Sequence, residues 1–167
     1  MSPPSDQDEH RVRRARPAAA GEAGAGPGAE LALELSAGWV APSIARERVE
    51  AWLRAHRWPP AQVDELVLAI SEAVSNSVEH GYRIPPDVVE PPDTVGVKVR
   101  LTVAADGYRQ VEFVVSDRGT WREPDTAATS RGHGMLIMRS CTDELVVEAS
   151  PTGTTVVLRS RPTPPPH

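Results

Sequence analysis

"LAISEAVSNSVEH", residues 68–80, predicts a helix and raises the question of a site on it. Its apolar residues recur at helical spacing, so one face of the helix is expected to turn towards a core. Glu72, Asn76 and His80 follow one another at intervals of four residues, and such residues lie one above the other on an α-helix. Asn is a poor helix former. The helix alone leaves two interpretations open, a solvated polar stripe or a row of functional groups.

The composition limits what kind of protein this is. The chain has 167 residues and a formal charge of −5, which suits one domain with tails and argues against a direct nucleic-acid surface. Its single cysteine, Cys141, excludes a disulfide framework and a cysteine-built metal site, and fits a reducing cytoplasm. No secretory leader and no apolar run of about 18 residues is visible. We therefore expect a cytoplasmic protein without a membrane or nucleic-acid partner.

The two ends of the chain differ in composition from its middle. Residues 1–28 consist mainly of Ala, Gly, Pro and charged residues, which bury too little apolar surface to offset the entropy of ordering them. They are predicted to be a disordered tail, and residues 162–167 a second one. The folded domain is predicted to span residues 29–161.

Within this domain the hydrophobic period changes between strand and helix. The pattern predicts, in chain order, a strand at 30–36, helices at 42–57 and 60–82, a hairpin at 94–117, a short helix at 134–142 and a hairpin at 144–161. Gly81 is the expected stop of the longest helix. Hairpin-connected strands with helices that need a sheet predict an α/β fold: a two-layer α/β sandwich with a mixed, mostly antiparallel sheet and helices on one face.

Two further segments carry weaker signals of a site. In "VVSDRGTW", residues 114–121, Asp117 ends a strand, where it can accept a hydrogen bond from a donor such as an adenine amino group. Gly119 would let a flat ring approach the backbone. In "GTTVVL", residues 153–158, Thr154 follows a glycine and could place a hydroxyl in a pocket. A strand-ending turn and a residue of high β-propensity explain both segments equally well.

A third segment is "SRGHGMLIMRS", residues 130–140. Gly132 and Gly134 precede a helix whose N-terminus favours an anion, and Arg131 adds positive charge. A phosphate could therefore sit here. The alternative is a flexible loop before a helix, because one G-x-G proves little.

Taken in chain order, these motifs resemble the boxes of the GHKL (Bergerat-fold) ATPases. They are E-x-x-x-N-x-x-x-H on a helix, D-x-G at a strand end, G-x-G before a helix and G-T in the last strand. "ELVLAISEAVSNSVEHGY" is especially similar to the anti-sigma-factor serine/threonine kinases, the SpoIIAB/RsbW-like group. "SDRGTW" and "RGHGMLIMRSC" look like later boxes of that group in actinobacterial regulators. The resemblance covers about residues 30–160.

The resemblance implies a role for each residue. Glu72 corresponds to the general base, and Asn76 to the ligand of the Mg²⁺ that bridges the phosphates. Asp117 corresponds to the acceptor of the adenine amino group, with Gly119 beneath the ring. The cofactors implied are ATP and Mg²⁺. The other implied nucleotide contacts are Arg131, Gly132, His133, Gly134, Met135 and Thr154.

Two features of the sequence depart from the general pattern. Trp121 stands where many of these ATPases have a second glycine, as is usual in the anti-sigma branch. The segment between Asp117 and Gly132 is short, so a lid over the nucleotide must be small.

Three functions remain open at this point. The first is an ATP-dependent serine/threonine kinase that phosphorylates a STAS-domain antagonist, sequesters a sigma factor, or does both. The second is a non-catalytic nucleotide-binding module that controls a partner by binding. The third is a detached ATP domain that phosphorylates histidine. A homodimer is compatible with all three.

Overall fold

The computed structural model describes residues 28–82, 93–119 and 133–166. Its five strands form one sheet in the order β1-β2-β3-β5-β4. They are β1 (Glu30–Ser36), β2 (Thr94–Val103), β3 (Arg109–Asp117), β4 (Glu144–Ser150) and β5 (Gly153–Arg159). All four pairings are antiparallel. The predicted two-layer α/β sandwich is confirmed, with no parallel pair among the described strands.

The helices cover one face of this sheet. They are α1 (Ala41–Ala55), α2 (Pro60–Asn76) and α3 (His133–Cys141), and a π-helical turn (Ser77–Tyr82) continues α2. α1 and α3 both pack against α2. The predicted element order is confirmed. Gly81, the expected helix stop, lies inside the π-helical turn instead. No helix in the described parts of the chain is long and apolar enough to cross a membrane.

The core forms where alternate strand residues meet the inner face of α2. Val95, Val97 and Val99 of β2 are buried, as are Val111, Phe113 and Val115 of β3. The same period runs through β5, whose Thr154, Val156 and Leu158 are buried. Residues of α2 that fill the other side of this core are Val63, Leu66, Ile70, Ala73 and Val74. Every second residue of the strands and one face of the helix, which repeats every 3.6 residues, point towards this core. They therefore bury the small aliphatic side chains that the composition provides.

A charged row crosses the opposite face of the sheet. In register from one edge to the other, its members are Glu30, Arg100, Glu112, Arg159 and Glu144. Arg100 Nε lies 2.8 Å from Glu30, and Arg159 Nε lies 2.8 Å from Glu112. Arg159 also pairs with Glu144, and its hydrogen bond to Glu112 raises the pKa of the Arg159 guanidinium. Alternating charges offset one another on the face that the described helices leave uncovered.

The described residues extend past residue 161, where the sequence predicts the end of the folded domain. The predicted tail at residues 1–28 lies outside the described residues apart from Gly28. The segment predicted as a tail at 162–167 lies partly against the sheet. There Thr163 is buried. Its backbone N–H donates to the carbonyl oxygen of Arg109 at 2.8 Å, and its carbonyl oxygen accepts from the backbone N–H of Arg109 at 2.7 Å. The start of β3 lacks a partner from β5, and this pairing satisfies its backbone groups.

Arg109 joins this end of the sheet to the connection between α1 and α2. It is 7% exposed, and its guanidinium donates hydrogen bonds to the carbonyl oxygens of His56 at 2.8 Å and Arg57 at 3.1 Å. The same guanidinium lies 5.0 Å from the ring centre of Trp58. The side chain therefore replaces the hydrogen bonds that two carbonyls at the end of a helix lack.

Replacing Arg109 by methionine is expected to lower the free energy of unfolding by about 1–3 kcal/mol, because it leaves polar groups without their partner. The matched control is Arg100→Met, since Arg100 is also a strand arginine but its side chain is 61% exposed. That change should cost less than about 1 kcal/mol. Urea unfolding of both variants measures the difference. Equal losses would contradict the structural role of Arg109.

Candidate nucleotide site

One half of the candidate site lies between α2 and α3. Glu72 and Asn76 are half-buried one turn apart on α2, beside the buried arc that contains Ala73 and Val74. Gly134 lies in the first turn of α3. A Cβ atom built on Gly134 would stand 2.9 Å from Glu72 Oε2 and 3.6 Å from Asn76 Oδ1. The structure thus brings together three residues from two motifs that are far apart in the sequence.

The other half lies where β3 ends and β5 begins. Asp117 and Thr154 are directly opposite each other in the register of these strands. Both continue the rows of residues that face the helices, since they share the parity of Val115 and Val156. Asp117 Oδ1 accepts a hydrogen bond of 2.9 Å from the backbone N–H of Gly119. That contact fixes the carboxylate and leaves Oδ2 as an acceptor.

Within the described parts of the chain, Thr154 has a buried hydroxyl without a partner, as does Thr163 at the opposite end of the sheet. The residue is 3% exposed, and its Oγ1 has no hydrogen-bond partner among the described residues. A buried hydroxyl without a partner is costly, so it indicates a place where a water or a ligand group belongs. Its position beside Asp117 puts that place on the helix-facing side of the sheet.

Gly153 explains how β5 reaches Asp117 so closely. A Cβ atom at this position would lie 2.1 Å from the backbone oxygen of Asp117, so only glycine fits. In the sequence this glycine is visible only as the neighbour of Thr154, and its steric role depends on the pairing of β3 with β5. The G-T pair at a strand start was the available signal.

The π-helical turn brings the two halves to one end of the sheet. It follows directly after Asn76 and contacts both β3 and β5. π-Helical turns widen the backbone to i→i+5 hydrogen bonds and are frequent at functional sites. The sequence predicts Glu72, Asn76 and His80 in one line along the helix. The helix changes type after Asn76, and the side chain of His80 lies outside the described part, so the place of His80 in that line stays a prediction.

The other predicted residues fall into two groups. Arg131 and Gly132 lie outside the described residues, as does Trp121. His133 is the exposed first residue of α3. Met135 packs against the hydrophobic core, which accounts for its side chain without a ligand. Roles for these residues at a nucleotide remain predictions.

The side chains of this site suit a metal ion that is also bound by phosphates better than a metal ion that is bound by the protein alone. No group of three or more His, Cys, Asp or Glu side chains that could hold a metal ion occurs in the described ranges. Mg²⁺ prefers oxygen ligands, keeps several waters and is usually bound by one or two side chains plus substrate phosphates. The amide oxygen of Asn76 suits such a site.

Comparison with known proteins agrees with this fold. The family described as the histidine kinase-like ATPase domain matches residues 40–160. The crystal structure of the RsbU and RsbW domains of Rv1364c from Mycobacterium tuberculosis is similar, with 27% identity and a TM-score of 0.59. The match covers 82% of this chain and 34% of that one, so this chain spans about a third of its length.

A second solved structure is the histidine kinase domain of the blue-light activated histidine kinase from Erythrobacter litoralis EL346. It matches with 24% identity and a TM-score of 0.43, over 62% of this chain and 46% of that one. The family match spans well over half of the residues. This chain therefore belongs to the histidine kinase-like ATPase domain family, a family of ATP-binding domains.

Proposed function

We propose that this protein is an ATP-dependent serine/threonine kinase of the anti-sigma type. It would phosphorylate a STAS-domain antagonist, sequester a sigma factor, or do both. The observation that carries the proposal is the meeting of Glu72, Asn76 and Gly134 at the α2–α3 junction. It places a carboxylate and an amide one turn apart, beside the start of a helix.

The strand-end half suits the adenine. Asp117 Oδ2 is an acceptor for the exocyclic amino group, and the hydrogen bond to Gly119 holds it in place. The unpartnered hydroxyl of Thr154 can complete the hydrogen bonds of the same ring or of a water beside it. A half-buried carboxylate that accepts from a donor gives selectivity, since a base with an acceptor at that position leaves two acceptors face to face.

The α2–α3 half suits the phosphates. Asn76 would supply a side-chain oxygen to Mg²⁺. Backbone N–H groups in the first turn of α3 have no intrahelical acceptor, and the helix dipole favours an anion there. When bound, ATP supplies the phosphoryl group and Mg²⁺ offsets the charge on the phosphates. The chain's own contribution is to position these groups and to exclude other geometries.

Glu72 is the proposed general base. It lies one turn before Asn76 on the same helix and its carboxylate is half-buried, so it can face the phosphate end of the site without taking part in adenine binding. A carboxylate at this place can accept the proton of a serine or threonine hydroxyl as that hydroxyl attacks. This role supports a hydroxyl substrate, because an attacking hydroxyl gives up a proton whereas metal and adenine binding need no base.

The similarity to a protein with an RsbW domain supports the choice of regulatory partner. It stands at 27% identity over 82% of this chain. A homodimer, which the resemblance to the anti-sigma-factor kinases implies, is also part of the proposal. The second candidate function is a non-catalytic nucleotide-binding module. It accounts for Asn76, Asp117 and Thr154 equally well and leaves only Glu72 without a task.

A transfer assay separates these functions. The full chain is incubated with Mg²⁺, γ-labelled ATP and candidate STAS-domain antagonists, and the label is analysed for acid stability. Acid-stable phosphate on serine or threonine supports the kinase. Tight ATP binding without transfer to any antagonist would favour the binding module. An acid-labile product would point to histidine phosphorylation and contradict the proposal.

Asp117→Asn is expected to weaken ATP binding by about 1–3 kcal/mol, because it turns one acceptor into a donor that faces the adenine amino group. The asparagine oxygen can still accept from Gly119, so folding should be unaffected. The control is Asp106→Asn in the β2–β3 turn, where Asp106 Oδ1 accepts from the backbone N–H of Tyr108 at 3.0 Å. Calorimetric titration with ATP measures both. An unchanged affinity in Asp117→Asn would remove Asp117 from the site.

A further inference from the structure

Gly134 is a glycine that its own backbone does not require. It lies inside helix α3 and is not among the described glycines with positive φ, which are Gly107 and Gly153. Alanine is the better helix former at such a position. A reason for glycine must therefore come from what surrounds the residue.

The surroundings supply a steric reason. A Cβ atom on Gly134 would stand 2.9 Å from Glu72 Oε2, closer than a carbon and a carboxylate oxygen can approach. Its distances to Asn76 Oδ1 and Nδ2 would be 3.6 and 3.7 Å, which are ordinary contacts. An added methyl group would thus collide with the carboxylate and leave the neighbouring amide where it is.

We propose that Gly134 is a positioning residue for the general base, and that the missing side chain leaves the space in which the carboxylate of Glu72 is held. The inference rests on the proposed function. It differs from a role in phosphate binding, because that role uses the backbone N–H, which alanine retains. Gly134 sets the location of Glu72, while Asn76 keeps its place independently.

A side chain in this space should lower the rate of phosphate transfer and leave the stability of the fold unchanged. Oε2 is the far end of a flexible side chain, so rotation of the Glu72 side chain relieves the collision. Gly134→Ala should therefore keep the melting temperature and keep ATP affinity within about threefold. Transfer should fall about 10–100-fold, since a displacement of about 1 Å at a reacting group costs up to about 10²-fold.

A double-mutant cycle tests the coupling. Glu72→Asp shortens the side chain and withdraws the carboxylate from Gly134, so this change alone should lower transfer about 10–100-fold. In the Glu72→Asp background the collision is gone, and adding Gly134→Ala should change transfer by less than about twofold. Losses that multiply in the double variant would overturn the proposal.

Gly96→Ala is the matched control. A Cβ atom at Gly96 would lie 2.8 Å from Ser116 Oγ, so the collision is of the same kind, with the end of a polar side chain. It falls between β2 and β3, in the row of residues that faces away from the helices. This variant should keep transfer near the wild-type rate. A loss as large as that of Gly134→Ala would mean that any added methyl group disturbs the enzyme.

A measurement without turnover separates this inference from the proposed function. The carboxyl carbon of Glu72 is observed by NMR in the nucleotide-free full chain. Its chemical shift should move in Gly134→Ala and stay unchanged in Gly96→Ala, even if no antagonist accepts phosphate. An unmoved Glu72 signal in Gly134→Ala would overturn the inference, whatever the transfer assay gives.

Discussion

Replacing Glu72 by glutamine is expected to lower phosphate transfer about 10²–10⁴-fold while ATP remains bound. Glutamine keeps the length of the side chain and its hydrogen-bonding reach, but its amide does not accept the proton of a substrate hydroxyl. Affinity for ATP should stay the same or rise slightly, because one negative charge near the phosphates is removed. The paired measurement is ATP titration and phosphate incorporation into a cognate antagonist.

The control for this change lies on the same helix. Asp64→Asn also removes one acidic charge from α2, but Asp64 is exposed and lies two turns before Glu72. It should change neither binding nor transfer by more than about twofold. If Glu72→Gln transfers phosphate at the wild-type rate, Glu72 is not the base and the non-catalytic module becomes the better interpretation.

Asn76→Ala is expected to lose most of its ATP binding and, with it, phosphate transfer. As the proposed Mg²⁺ ligand, its amide oxygen would be needed whenever metal-bound triphosphate is present, in the ground state and in the transition state alike. Losing a residue that only supports a metal ligand already costs about 10–100-fold in metal affinity, so losing a direct ligand should cost at least that much. Ser75→Ala, at the preceding half-buried position, serves as the control.

The magnesium dependence identifies the cause of this loss. In wild type, ATP affinity should fall when Mg²⁺ is chelated, and in Asn76→Ala the remaining weak affinity should respond little to Mg²⁺. Asn76→Ala and Glu72→Gln should therefore differ in ATP affinity, although the two residues are only one turn apart. An Asn76→Ala variant with wild-type affinity for Mg-ATP would exclude the amide as a ligand.

Much of the fold was predictable because it depends on local periodicity. Strictly alternating Val95, Val97 and Val99 indicate a strand that buries one face, and the wide apolar arc of α2 indicates a helix against a sheet. The order of these elements then leaves few architectures open. The π-helical turn after Asn76 was not predictable, because no local pattern distinguishes it from a continuing α-helix.

Interactions between distant segments account for the remaining differences. Nothing in the sequence around Arg109 indicates its role, yet its guanidinium binds carbonyl oxygens 52 and 53 residues away. Thr163 lies in a proline-rich segment that predicts a tail, yet it pairs with Arg109. The types and spacing of residues in the sequence do not indicate such distant partners.

The candidate site likewise combines residues that the sequence indicates with a contact that only the packing reveals. Glu72, Asn76, Asp117 and Thr154 were assigned through the order of motifs, which resembles a family of ATPases. The closeness of Gly134 to Glu72 is different, because it depends on how α3 packs against α2. The resemblance placed Gly134 in the site, and only the packing of the two helices gave it a steric role.

The central claim is that ATP binds at the end of the sheet where β3 ends, between that end and the α2–α3 junction. The most direct test is chemical-shift mapping of the full chain with Mg-ATP. The account predicts shifts of the backbone amides of Glu72, Asn76, Asp117, Gly119 and Thr154. The signals of Arg109, the Trp58 indole and Thr163, at the opposite end, should stay unchanged. Shifts confined to that opposite end or to the charged row, or no shifts at saturating ATP, would contradict the account.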